Sequence, residues 1–189
     1  MSRDLDLKRR RFTIDEYHRM ADFGILTEDD RVELLDGEII EMAPIGLRHA
    51  SICDRLTRLF TSRLGDRVIV RVGGPIILPK QDSEPQPDLT LLRPRSDFYS
   101  RAHPEPADVL LTVEVMDTTA YRDRRVKLPL YGRASIGEVW LVDAEQELVE
   151  VHRHPPAGQR EALAVKRRGE RITIAAFPAV RFEVDEIFG

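Results

Sequence analysis

Two acids and a lysine are the residues of this chain best placed to do chemistry. Glu114 sits inside Val109-Leu110-Leu111-Thr112-Val113-Glu114-Val115, a nearly continuous apolar run of the kind that forms a strand buried on both faces of a sheet. A lone carboxylate there is costly as an anion or takes up a proton, so a chain keeps one when it is paired or holds a metal. The second acid, Asp88, follows Pro87 at the start of a short apolar stretch, Leu89 to Leu92. Proline is tolerated at a strand entrance because no ladder N–H is needed there. After Glu114 the run ends at Asp117-Thr118-Thr119, a turn and helix start. Asp123, Lys127 and Tyr131 then recur at i, i+4 spacing on one helical face. Carboxylates on adjacent strands suit a hard divalent cation, and the helix can turn a lysine back toward them.

Pro87-Asp88 followed by Glu114-Val115-Met116 resembles the signature of the PD-(D/E)XK nuclease superfamily. Arg31-Val32-Glu33-Leu34-Leu35-Asp36-Gly37-Glu38-Ile39-Ile40 and Gly137-Glu138-Val139-Trp140-Leu141-Val142-Asp143 sharpen the match. Together they look like the putative restriction endonuclease family of bacteria, over about Phe12 to Arg153. The chain departs from the superfamily pattern in two places. Met116 stands where the lysine usually follows the second acid, and Lys127 on the next helix is the matching position. Asp117 replaces a serine often found just after that acid. Pro129 also falls inside the predicted helix and is expected to kink it near Lys127.

The resemblance implies a restriction-endonuclease-like α/β (α+β) fold, with a mixed central β-sheet flanked by helices and β-hairpins. It implies metal-dependent hydrolysis of phosphodiester bonds in DNA, with Mg²⁺ or Mn²⁺ held by Asp88, Glu114 and the carbonyl of Val115. Lys127 would orient or help deprotonate the attacking water, or balance charge on the phosphate. Glu33 matches a position near the metal, where it would place water or a second ion. Supporting roles fall to His49, Tyr131 and Asp123. Arg122, Arg124 and Arg125 crowd the helix of Lys127 and are candidates for contacts to nucleic acid. Cutting both strands of a duplex is most simply done by a two-fold homodimer. Two other classes stay open. One is a nuclease-fold module that has lost activity and serves binding or oligomerisation; the other is a hydrolase of a smaller phosphate ester.

Composition sets the outer bounds. The 189 residues suffice for a single domain, read as residues 12–189 behind a flexible basic tail, residues 1–11. A formal net charge of −4 argues against a strongly basic, non-specific nucleic-acid binder, though a local basic patch can be enough. The single Cys53 excludes an internal disulfide and a thiolate metal cluster and fits a reducing cytoplasm. No apolar run approaches a membrane span, and the N-terminus lacks a secretory apolar segment.

These residues need elements to hold them. Thr13-Ile14-Asp15-Glu16 is a capping-box pattern, which predicts a helix to about Phe23, ending near Gly24. Val32–Leu35 and Glu38–Met42 flank Asp36-Gly37, a strong hairpin signal that puts Glu33 on its first strand. From Leu47 to Leu64 an apolar stripe through Ile52, Cys53, Leu56 and Phe60 predicts a helix, and His49 shares that stripe. Arg67–Val72 and Pro75–Leu78 read as strands. Arg93–Pro106 is the longest loop and carries Arg93, Arg95 and Arg101. Glu138–Val142 and Leu148–His152 form a second hairpin, whose His152 and His154 have a weak metal spacing. Ala162–Val165, Arg171–Ile174 and Val180–Val184 close the domain as short strands.

Overall fold

The computed structural model describes residues 9–27, 29–117, 119–153 and 162–189. Most of the basic tail, including Lys8, and His154 of the histidine pair lie outside the described residues. A six-stranded sheet in the order β3-β4-β5-β6-β7-β8 forms the centre. Its strands are β3 (Ile69–Val72), β4 (Leu89–Leu92), β5 (Val109–Met116), β6 (Glu138–Asp143), β7 (Leu148–Arg153) and β8 (Ala162–Arg167). Only β5 and β6 run parallel; every other neighbour is antiparallel. A parallel pair needs a crossover rather than a tight turn, and the helical stretch after β5 supplies it.

The alternation along β5 divides the interior in two. Leu111, Val113 and Val115 face one core with Ile52, Leu56 and Phe60 of helix α2 (Leu47–Leu64), capped by Trp140 and Phe182. Met116 faces the other, with Leu130, Tyr131 and Leu141. Glu114 shares the face of Met116 because side chains two apart point the same way. The apolar stripe of α2 is thus what leaves Glu114 turned toward the crossover.

That crossover is not a regular helix. It comprises α3 (Ala120–Arg122), a π-helical turn (Asp123–Lys127) and α4 (Leu128–Arg133). Pro129 has no N–H and would clash with the carbonyl one turn back. The chain answers with a wider turn, in which the Leu128 N–H reaches the Asp123 carbonyl. Where the sequence predicts a kink, the structure inserts a π turn, a feature frequent at functional sites.

Around this frame, α1 (Ile14–Asp22) starts at the Thr13/Glu16 capping box, and β1 (Val32–Leu35) pairs with β2 (Glu38–Glu41) through Asp36-Gly37. Two expectations fail. Pro75–Leu78 is no strand: Gly73 at φ +60° turns the chain away, and prolines at 75 and 79 remove ladder donors. Its Ile76 and Leu78 are nonetheless fully buried in the second core. Val184 does not extend a strand but opens α5 (Val184–Phe188), behind a hairpin of β9 (Arg171–Ile174) and β10 (Phe177–Glu183) separate from the main sheet. Among the described residues, no helix is long and apolar enough to cross a membrane.

Candidate active site

Asp88 enters β4 beside β5. The Gly73 N–H bonds the Asp88 carbonyl at 2.9 Å, so the backbone of Asp88 faces β3. Leu89, paired with Val113, faces β5, and the same parity aims the N–H and C=O of Val115 at Pro87. Pro87 has no N–H to give that carbonyl. The Val115 N–H turns instead to Asp88 Oδ2, at 2.6 Å. The Pro-Asp pair therefore ends the ladder, leaves the Val115 carbonyl without a proline donor, and fixes the carboxylate of Asp88 beside β5.

Glu114 and Lys127 meet in the interior, each only 2% exposed. Lys127 Nζ lies 3.0 Å from Glu114 Oε1 and 3.1 Å from Oε2, and the Tyr131 hydroxyl donates to Oε1. Glu33, fully buried on β1, stands on the other side of the ammonium at 3.2 Å. Gln86 closes the cage: its carbonyl accepts from Lys127 at 3.2 Å, and its N–H donates to Glu33 Oε2 at 3.0 Å. Among the described residues Glu33 Oε1 has no hydrogen-bond partner; Arg122 Nε lies 3.9 Å from it. Asp123 is buried one helical turn before Lys127 and accepts from the Thr119 hydroxyl.

Charge in this cage is unbalanced. Three buried carboxylates, Glu33, Glu114 and Asp123, surround the one buried ammonium. Burial pushes Glu114 up to about 8; Lys127 opposes the rise, and Asp88, Asp123 and Glu33 add to it. Asp123 is raised by burial as well. For Lys127 burial pulls downward, but the surrounding carboxylates win and hold it above its ordinary value. It therefore keeps its proton. The expectation that Lys127 helps deprotonate water does not suit this environment; nor is an N–H left to orient one, since Glu114, Glu33 and Gln86 take all three, and charge balance is the role that fits.

Asp88, Glu114, Lys127, Asp123 and Arg122 line a cleft of about 1000 Å³. His49 lines it too, with Nε2 3.0 Å from Asp88 Oδ1 and Nδ1 3.7 Å from Cys53 Sγ. The hydrogen bond to Asp88, then that to Cys53, raises His49 to about 10. Sequence reasoning placed His49 on the helix but missed Cys53, although their spacing of four was visible. Donor atoms of His49, Cys53 and Asp88 lie within 4.8 Å of one another. Gln86 was missed because its role is carried by its backbone. The His18–Glu84 pair that lines another part of the cleft was also missed, since nothing local joins α1 to Glu84.

The three arginines separate. Arg122 lines the cleft and donates to the Glu41 carbonyl at 2.9 Å. Arg124 does not: it pairs with Asp143 at 2.9 Å and Glu150 at 2.7 Å, acids of β6 and β7. Arg125 is exposed outside the cleft lining. His152 pairs with Glu150 at 3.1 Å.

No curated protein matches the chain. Among solved structures, a protein described as a putative nuclease from Anabaena variabilis matches with a TM-score of 0.72 at 15% identity, covering 94% of this chain and 97% of that one. At that identity the likeness is one of fold, a mixed sheet flanked by helices and hairpins as in restriction endonucleases. Residues 14–185 match the family described as "Putative restriction endonuclease", and since that stretch is most of the chain, the protein belongs to this nuclease family.

Proposed function

We propose that this protein is a divalent-metal-dependent endonuclease that hydrolyses phosphodiester bonds in DNA. The observation that carries the reading is the excess of buried carboxylate over ammonium at the floor of an open cleft. Buried anions in excess are costly, so Glu114 holds a proton up to about pH 8; an added cation would displace that proton and neutralise the carboxylates. The donor set fits a hard cation, Mg²⁺ or Mn²⁺: oxygens of Asp88 and Glu114, already hydrogen-bonded to His49, Lys127 and Tyr131, would hold it through their remaining lone pairs, with the carbonyl of Val115. The unpartnered Glu33 Oε1 gives the cage further unmet demand for positive charge. When bound, such a cation supplies positive charge to the phosphoryl and leaving oxygens and activates water.

The remaining roles belong to the chain. Lys127, protonated and with its three N–H donors taken by Glu114, Glu33 and Gln86, balances charge on the phosphate. Glu33 and the Gln86 carbonyl hold the ammonium in place, and Tyr131 fixes the orientation of Glu114. His49 steadies Asp88. Arg31 and Arg122 are the guanidinium groups lining the cleft that could meet a phosphate. A two-fold homodimer would bring two such sites to the two strands of a duplex; light scattering should give twice the chain mass of 21.7 kDa. Mn²⁺ binding by titration calorimetry tests the metal directly. Wild type should bind, and Asp88→Asn and Glu114→Gln should each lose at least tenfold in affinity. Equal binding by all three would remove the site.

A further inference from the structure

Outside the carboxylate cage, the most unusual backbone lies in the loop between β4 and β5. Phe98 and Tyr99 are consecutive residues with φ of +50° and +60°. Bulky side chains rarely adopt this region. The strain presents Phe98 outward, 69% exposed, while Tyr99 is buried beneath it. The Tyr99 hydroxyl donates to the Arg93 carbonyl at 2.9 Å, which anchors the loop. The turn serves the fold by burying Tyr99 in the second core, while the Phe98 ring itself stays outside it.

The loop itself is balanced, Arg93, Arg95 and Arg101 against Asp97, Glu105 and Asp108, and Arg71 of β3 adds a positive charge beside it. Arg71 of β3 places its guanidinium 5.6 Å from the Tyr99 ring centre and donates to the Phe98 carbonyl at 3.4 Å. Among the described residues no carboxylate pairs with it. Arg95 stacks on the same ring at 4.3 Å, but its charge is matched by Asp97 at 2.6 Å. Arg101 is exposed three residues beyond Phe98. The loop then returns to the cleft: His103 and Gly73 both line it, and the Ile77 N–H bonds the Pro104 carbonyl at 2.9 Å. A ring held outward, flanked by unmatched guanidinium charge and joined to the cleft wall, has the parts of a stacking platform with phosphate contacts.

We propose that Phe98, with Arg71 and Arg101, binds an unpaired nucleotide of the substrate strand beside the cleft. The base stacks on Phe98 and the adjoining phosphates meet Arg71 and Arg101. This rests on the nuclease reading above for its substrate class, but it makes its own claim about binding. A protein partner would not need an unpaired base and would show no dependence on strandedness.

The test is fluorescence anisotropy with a labelled single-stranded oligodeoxynucleotide and the matching duplex, in EDTA so that no cleavage intervenes. Phe98→Ala should weaken single-strand binding roughly tenfold, and Phe98→Trp should restore it. Arg71→Gln should lower the slope of log affinity against log salt by about 0.7. Phe98→Gly separates function from folding: glycine accepts positive φ, so this variant should melt no lower than wild type yet bind as weakly as Phe98→Ala. Wild-type affinity in both Phe98→Ala and Phe98→Gly would overturn the proposal, as would a wild type that binds no single strand. Loss of equal size on the uninterrupted duplex would overturn the unpaired-base assignment. If wild type cleaves nothing with Mg²⁺ or Mn²⁺ while the Phe98 variants still lose binding, the nuclease reading fails and the platform stands. If cleavage is robust and the variants bind as wild type, the platform alone fails.

Discussion

Replacing Glu114 with glutamine should stabilise the metal-free protein at pH 8 and not at pH 5. Burial raises the Glu114 carboxyl from its ordinary 4.5 to about 8. The folded state therefore holds a proton that the unfolded state releases between those values, so stability falls as pH rises through that window. At 1.36 kcal/mol per unit the full cost above pH 8 is roughly 5 kcal/mol. Glutamine recovers only part of it. It can still accept from Tyr131, but its amide N–H group then faces the Lys127 ammonium where a carboxylate oxygen stood. A net gain of about 1–3 kcal/mol is expected, which for a chain of this size is roughly 2–12 °C in melting temperature. Thermal melts in EDTA from pH 5 to 9 read this out. The two proteins should converge at low pH, where the wild-type carboxyl is neutral. Mn²⁺ at a hundredfold excess over the wild-type Kd should stabilise wild type by about 2.7 kcal/mol and Glu114→Gln, binding at least tenfold more weakly, by about 1.4 kcal/mol or less. A variant less stable than wild type by the same amount at pH 5 and pH 8 would refute the account of Glu114 as an anion held against its burial.

Three further outcomes follow from the same geometry. His49 is raised from 6.5 to about 10 by Asp88, so its contribution is complete below pH 6.5 and lost as pH climbs toward 10; His49→Ala should flatten the wild-type decline over that range in urea titrations, and an unchanged slope would contradict the pairing. Lys127→Ala strands Glu33 and Glu114 without their cation, so it should destabilise by roughly 3–5 kcal/mol and abolish cleavage, measured by melts and plasmid nicking; full activity would remove Lys127 from the site. Arg124→Ala should lower stability by about 1 kcal/mol or less and leave cleavage unchanged, since its partners are Asp143 and Glu150; a loss of cleavage matching that of Lys127→Ala would return it to the nucleic-acid surface.

The sequence showed the parts of the site better than their joining. Glu114 inside an apolar run was legible because a carboxylate among valines has few reasons to exist. The stripe of α2 and the Asp-Gly hairpin were legible because period and turn chemistry are local signals. Glu33 looked like a surface strand acid on pattern alone, and only the family resemblance raised it. The fold buries it fully, because β1 packs beside the Pro85–Pro87 segment, a long-range contact that no local period encodes. The cage carbonyl of Gln86 has no side-chain signature at all. Arg124 and Arg122 were indistinguishable in the sequence; the π turn at Asp123–Lys127 rotates one toward β6 and β7 and leaves the other at the cleft. Pro75–Leu78 misled because Ile76 and Leu78 are buried with only one isolated bridge, Leu78 to Ser83, in place of a strand ladder, so burial imitated a strand.

The most direct measurement is conversion of supercoiled plasmid DNA by purified wild-type protein, Asp88→Asn and Glu114→Gln, each with Mg²⁺, with Mn²⁺ and with EDTA. The account predicts nicked and linear products from wild type with either metal, none in EDTA, and none from either variant. A wild type that leaves the plasmid intact with both metals, or an Asp88→Asn protein that cuts as well as wild type, would contradict it.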